Sequence, residues 1–215
     1  PATFASATFV SGSGGRMTDV AFLSADSLIT TGLDGAVERF SPDRLGHEVF
    51  TRPPSPLHSS GTVFTSDFRH VLIVTYGPED IPNRLQYGEL PDRDDVAEPT
   101  SGAPTAVVYR DLWKSERPIE AIALSPDDRM VATTNDGGLL RTMTRWQSES
   151  PTVKTAQLPM FESNDSYDRL SFSPSGRYLA VGGRVDILQV FDLNESTLKP
   201  IFSRHNDSGT HCIAF

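Results

Sequence analysis

EAIALSPDDRMVATTNDGGLLRTMTRW, residues 120–146, contains three apolar runs separated by two turns. Ala121-Ile122-Ala123-Leu124 stops at Ser125-Pro126-Asp127-Asp128. Proline fixes its own φ and has no N–H to donate, and aspartate hydrogen-bonds its own backbone, so this tetrapeptide is read as a turn. Met130 to Thr134 forms the second run and Asn135-Asp136-Gly137-Gly138 the second turn, with the pair Asp136-Gly137 as its signal. The third run, Leu139 to Trp146, places Leu140, Thr142, Thr144 and Trp146 on one face. Three short runs with two tight turns predict an antiparallel meander.

The same grammar recurs. Phe172-Ser173-Pro174-Ser175-Gly176 leads into Arg177 to Val181, and a further run covers Ile187 to Leu193. Upstream, Val20 to Asp26 leads into Leu28 to Gly32, the turn Asp34-Gly35 and the run Ala36 to Phe40. Val63 to Arg69 leads likewise into Val71 to Thr75. Ser24, Thr65, Ser125 and Ser173 hold the matching turn position at intervals of 41, 60 and 48 residues, and Phe215 follows Phe172 by 43. A period of roughly 40–45 residues with about four strands per unit is the signature of propeller blades. The expected fold is all-β, a β-propeller of four-stranded antiparallel blades at about 18–52, 61–112, 118–159 and 169–204. Partial strands are expected at 2–10 and 211–215, as in a segment of a larger propeller whose remainder comes from further sequence or another chain.

The pattern resembles the WD-repeat (WD40) family of β-propellers over nearly the whole chain. The resemblance rests on Ser125-Pro126-Asp127 and Ser173-Pro174, on Asp34-Gly35 and Asp136-Gly137, and on Phe191-Asp192-Leu193 where the family places Trp-Asp. No blade carries a true Trp-Asp, and Gly46-His47 stands away from the family's Gly-His position. The resemblance implies a scaffold that presents loops and a channel rim to protein or peptide partners.

Bulk properties narrow the field. The net charge of −9, with 19 basic residues scattered along the chain, argues against nucleic acid, because phosphate binding needs clustered Lys and Arg. No apolar run approaches the ~20 residues that span a bilayer. One cysteine, Cys212, excludes an internal disulfide and points to an intracellular setting, cytoplasmic or nuclear. The sequons at Asn164, Asn194 and Asn206 are accordingly read as accidental.

The second blade is the longest. Its third strand is expected at Arg84 to Leu90 and its outer strand at Thr105 to Leu112, with the extra length in PDRDDVAEPTSGAP, residues 91–104. An alternative register makes Thr105 to Leu112 the third strand and moves the insertion to the opposite end of the blade. Asp92, Asp94, Asp95 and Glu98 face only Arg93 in charge, and this composition cannot bury apolar surface. They form the candidate interaction site, an acidic docking segment. A calcium site from the same aspartates lacks ligands at set offsets with a bidentate partner.

Catalytic chemistry finds no footing, and no cofactor or metal is expected. The histidines His47, His58, His70, His205 and His211 show no metal-ligand spacing, and neighbours such as His211 and Cys212 point to opposite faces of a strand. No Gly-x-Ser-x-Gly elbow occurs. The SGSGG run at 11–15 lacks the lysine of a phosphate-binding loop and reads as a linker. Ser-Pro pairs at Ser41, Ser55, Ser125, Ser150 and Ser173 resemble kinase sites; Ser125 and Ser173 are more simply turn formers, which leaves Ser55 as the least constrained candidate. The expected function is a non-catalytic protein-interaction scaffold within a larger assembly. The alternatives are a sensor module fused to a signalling NTPase or kinase, and a propeller hydrolase.

Overall fold

The structure is a computed structural model, and it describes residues 17–24, 27–40, 47–51, 58–76, 82–90, 107–160, 165–205 and 209–215. Sixteen strands are described and they build four sheets, each a simple up-and-down meander with strands adjacent in chain order. The first holds β1 (Met17–Ser24), β2 (Ser27–Gly32), β3 (Val37–Phe40) and β4 (His47–Thr51). The second holds β5 (His58–Phe64), β6 (His70–Tyr76), β7 (Asn83–Glu89) and β8 (Tyr109–Ser115). The third holds β9 (Ile119–Leu124), β10 (Met130–Asn135), β11 (Leu139–Thr144) and β12 (Thr152–Gln157). The fourth holds β13 (Arg169–Phe172), β14 (Tyr178–Gly182), β15 (Ile187–Asp192) and β16 (Pro200–His205).

The sheets stand side by side around their first strands. β1 touches β5, β5 touches β9 and β9 touches β13, so each sheet radiates from a shared inner line. Alternation along the strands explains the packing, because successive side chains point to opposite sheet faces. In the third sheet Val131 and Met143 pack with Leu72, Val74 and Leu85 of the second, while Ala132 and Leu140 pack with Leu179, Val181 and Phe191 of the fourth. Ile29 and Val37 of the first sheet meet Val71 of the second in the same way. The core is thus a series of layers between sheets, and the second strands, buried on both faces, run through its middle.

One register position breaks the apolar layers. Glu38, Gln86, Arg141 and Gln189 lie opposite Thr30, Ile73, Thr133 and Val181 on the third strands. Buried polar groups must find partners. Gln86 receives the Thr75 hydroxyl at 3.0 Å and donates to Asp111 at 2.8 Å, and Asp111 in turn pairs with Arg84 at 3.1 Å. Arg141 instead lays its guanidinium 4.6 Å from the centre of the Trp113 ring on the second sheet. Burial lowers the pKa of that guanidinium, and the ring's electron-rich face compensates part of the lost solvation.

Two expectations are corrected. The outer strand of the second sheet is Tyr109–Ser115, not Thr105 to Leu112, because the ladder runs from Gly88 opposite Tyr109 to Asn83 opposite Ser115. Val108, 76 % exposed, belongs to the approach and not to the sheet. The alternative register is excluded, since Asn83–Glu89 is the third strand and the acidic insertion joins β7 to β8. In the fourth sheet the outer strand begins at Pro200: Leu198 is buried ahead of it, and a register shift lies between Val190 and Phe191. Residues 211–215, where a partial strand is expected, make no ladder with the described strands of this chain; the segment is tied by Arg169 Nε donating to the His211 carbonyl at 2.9 Å. The expected strand at 2–10 lies outside the described residues.

Candidate interaction surface

Each sheet has two ends. One gathers the turns between first and second strands and the corners between third and fourth; the other gathers the turns between second and third strands and the crossings to the next sheet. The first is called the corner end below.

At the corner end a single turn template recurs in three sheets. Thr65, Ser125 and Ser173 each receive, on the side-chain oxygen, the backbone N–H five residues on, from His70 (3.0 Å), Met130 (2.9 Å) and Tyr178 (3.0 Å). Two residues after each, a side chain closes the loop: the Thr65 hydroxyl donates to Asp67 at 2.7 Å, the Ser125 hydroxyl donates to Asp127 at 2.6 Å, and the hydroxyls of Ser173 and Ser175 lie 3.1 Å apart. The fourth residue is left-handed in every case, with φ of 54° at Phe68, 59° at Asp128 and 71° at Gly176. Proline is optional, since Ser66 stands where Pro126 and Pro174 stand. The hydroxyl at the first position and the acceptor at the third define the turn.

The turns are also chained together. Asp128 accepts from both the backbone N–H (2.8 Å) and the hydroxyl (2.5 Å) of Ser66 on the preceding sheet. One sheet further, Pro126 stands beside Gly176, where a Cβ would lie 3.9 Å from its Cδ. The second residue of one turn therefore meets the fourth residue of the next.

The carboxylates of these turns sit below their ordinary value. The Thr65 hydroxyl and the Arg69 N–H lower the pKa of Asp67, and the Ser125 hydroxyl is the main cause for Asp127. Asp192 is lowered by its bidentate pairing with Arg177, at 3.0 Å from Nε and 2.7 Å from Nη2. Groups with depressed folded-state values stabilise the fold above the unfolded carboxylate range, near 4, and lose that contribution as pH falls through the folded values, because the unfolded chain then binds more protons. The melting temperature is therefore expected to fall as pH drops below about 4. Asp127→Asn is expected to be less stable than wild type at pH 7 and to show a shallower acid decline. Melting curves from pH 7 to pH 2 measure both.

Trp146 anchors the middle of the corner end. β11 stops at Thr144, and Arg145, with φ of 54°, turns the chain so that the indole swings onto the second sheet. It is 2 % exposed, meets Tyr87 edge-on at 5.5 Å and His70 at 6.1 Å, and donates its Nε1–H to the Asp128 carbonyl at 2.8 Å. Beside it lies a shallow depression of about 510 Å3 lined by Asp128, Arg129, Arg145, Trp146, Gln147 and Ser148.

Arginines ring this end. Arg69, Arg129 and Arg177 each follow the left-handed turn residue of their sheet, and Arg145 adds a fourth. Arg177 is held by Asp192, but among the described residues no hydrogen bond or ion pair engages the guanidinium groups of Arg69 and Arg129. The opposite end differs, because its polar side chains are consumed internally. Asp34 caps its own turn by accepting from Ala36 N at 3.1 Å, with Gly35 at φ 73°. Asn135 accepts from Gly137 N and Leu139 N, and Asp136 pairs with Arg117 at 3.6 Å. The left-handed residue of that turn is Gly138, one place beyond the Asp136-Gly137 pair, since Asn135 rather than Asp136 supplies the cap. The Ser166 hydroxyl donates to Glu120 at 3.3 Å, and Asp168 is flanked by Arg169 and Arg184.

The sequence-derived sites divide between the two ends. Ser125, Pro126, Ser173 and Pro174 build the corner end; Asp34, Gly35, Asp136 and Gly137 build the other. Asp92, Asp94, Asp95 and Glu98 lie outside the described residues; the last described residue before them, Leu90, donates its N–H to the Arg69 carbonyl at 2.8 Å at the corner end. Sequence reasoning missed the arginine at the residue after the left-handed position, although Asp67-Phe68-Arg69, Asp127-Asp128-Arg129 and Ser175-Gly176-Arg177 repeat it. Among the described residues no three His, Cys, Asp or Glu are grouped to hold a metal, and no helix is long and apolar enough to cross a membrane.

No family model matches the sequence, and no curated protein matches it significantly. Among solved structures the chain is similar to one in the crystal structure of a mitotic checkpoint complex, at 11 % identity and a TM-score of 0.61. The likeness takes in 91 % of this chain and 55 % of that one, so this chain spans about half the length of the chain it matches. The fold is a β-propeller. At this identity the likeness carries the fold alone, and the four sheets are its blades.

Proposed function

We propose that this propeller is a non-catalytic, intracellular scaffold that engages a protein or peptide partner through its corner end. The observation that supports this reading most is the difference between the two ends. Asp34, Asn135, Asp136 and Asp168 are spent on their own turns and blade junctions, whereas Arg129 and Arg145 line a depression beside a rigid tryptophan at the corner end. Arginine and aromatic anchors are the residue types on which interfaces concentrate their binding energy. The partner surface that fits is acidic and offers a side chain small enough for a shallow depression. The likeness to a chain within a multiprotein complex agrees with a protein partner. The exposed lone thiol of Cys212 agrees with a reducing compartment.

The test is affinity capture with wild type, Arg129→Glu/Arg145→Glu, and a variant lacking residues 92–103, all checked for equal melting temperature. A partner held by wild type and lost from the arginine variant supports the corner end. Loss from the deletion variant as well makes the acidic insertion part of the same interface. Retention by the arginine variant at unchanged affinity sinks the reading.

A further inference from the structure

We infer that Ser150 is a phosphoacceptor site for a proline-directed protein kinase, and that Arg145 receives the phosphate. Five Ser-Pro pairs occur in the chain, and the fold sorts them. Ser125 and Ser173 are 3 % and 5 % exposed, and each hydroxyl is engaged in its turn, so a kinase reaches neither without unfolding it. Ser41 and Ser55 lie outside the described residues. Ser150 is different on every count. It is exposed and sits in the corner between β11 and β12, in the loop that connects the last ladder pair, Thr144 opposite Thr152. Among the described residues, no hydrogen bond engages its hydroxyl. Pro151 follows directly, which biases Ser150 toward the extended conformation that a kinase groove requires of its substrate.

The receiving group is already in place. Arg145 Nη2 donates to the Ser150 carbonyl at 3.3 Å, so the guanidinium is close to the residue that would carry the phosphate. In the transfer, the kinase base takes the Ser150 hydroxyl proton, an Oγ–P bond forms to the γ-phosphorus of ATP, the bond to its β–γ bridging oxygen breaks, and ADP leaves. The product places about −1.5 to −2 charge next to Arg145, and a charge-assisted pair closes the corner. Arg145 also lines the depression beside Trp146, so the modification changes the charge of the corner end where the proposed partner docks.

Incubation of the full chain with ATP and a purified proline-directed kinase, followed by site mapping by mass spectrometry, tests this. Ser150 is expected to be the major phosphosite among the described residues, with Ser125 and Ser173 unmodified. Pro151→Ala is expected to slow labelling of Ser150 at least tenfold. Phosphorylation is expected to raise the melting temperature of wild type but not of Arg145→Ala, although that variant is still labelled. An unmodified Ser150 in a chain labelled elsewhere, or total labelling unchanged by Ser150→Ala, overturns the site. An equal thermal shift in Arg145→Ala overturns the receiver.

Discussion

Trp146→Ala is expected to destabilise the protein by about 3–5 kcal/mol, the range for removing a buried large aromatic side chain. The indole is nearly fully buried between the second and third blades, so its removal leaves a cavity lined by Tyr87 and His70. It also strips the Asp128 carbonyl of its Nε1–H partner, a bond worth about 1 kcal/mol net. Asp128 is the residue that accepts from Ser66, so the loss falls on the joint that chains the two turns. Against a total stability of about 5–15 kcal/mol, such a change removes a large fraction of the whole. Trp146→Phe keeps most of the buried area and loses the hydrogen bond, and its cost is expected to be well under half as large. Urea denaturation of both variants checks the ordering; similar small losses in the two would show that the indole is not an inter-blade anchor.

Gly183→Ala is the second substitution with a large expected effect. A Cβ there would run into the Ser166 carbonyl oxygen and lie 2.7 Å from Asp168 N. Both obstacles are backbone atoms of the crossing that enters the fourth blade, so no side-chain rotation relieves them. That crossing is fixed on every side. Tyr167 is fully buried, its hydroxyl donates to the Pro159 carbonyl at 2.6 Å, and its own carbonyl receives the Thr134 hydroxyl. Burial raises the pKa of the Tyr167 phenol, which stays neutral as the donor. The Gly183 carbonyl meanwhile accepts from Thr210 N at 2.6 Å, so the glycine cannot retreat. Overpacking costs about 1–3 kcal/mol and occasionally more, and a site walled by backbone falls at the upper end. Gly176→Ala supplies the control. Its φ of 71° imposes a left-handed penalty of about 1–2 kcal/mol, but nothing lies closer to the new Cβ than Pro126 Cδ at 3.9 Å. Gly183→Ala is expected to be clearly the worse of the two in thermal melts, and equal losses would contradict the close packing of that crossing.

Much of the fold was legible because its grammar is local. A hydroxyl residue, an acceptor two places on and an apolar run to each side are chemical requirements of one turn, and they repeat in sequence as they repeat in space. Thr65-Ser66-Asp67 could be aligned with Ser125-Pro126-Asp127 without any proline. The limits had equally specific causes. Trp146 continues the alternation of Leu140, Thr142 and Thr144, and nothing in that pattern signals that Arg145 leaves the strand region and redirects the indole onto another blade. Val107 and Val108 read as strand, whereas pairing with Gly88 starts only at Tyr109. Gly138 was passed over for Gly137 because the Asp-Gly pair is the usual turn signal, and here Asn135 does the capping. The arginine ring escaped notice because charge was judged along the chain. Residues 60 and 48 positions apart become neighbours only once the blades are set side by side.

The most direct test of the corner end as the functional surface is hydrogen–deuterium exchange of the chain alone and with its captured partner. Slower exchange is expected at residues 65–69, 125–129, 145–151 and 173–177, with the opposite end at 32–36 and 135–138 unchanged. Protection confined to that opposite end, or absent from both, would contradict the account.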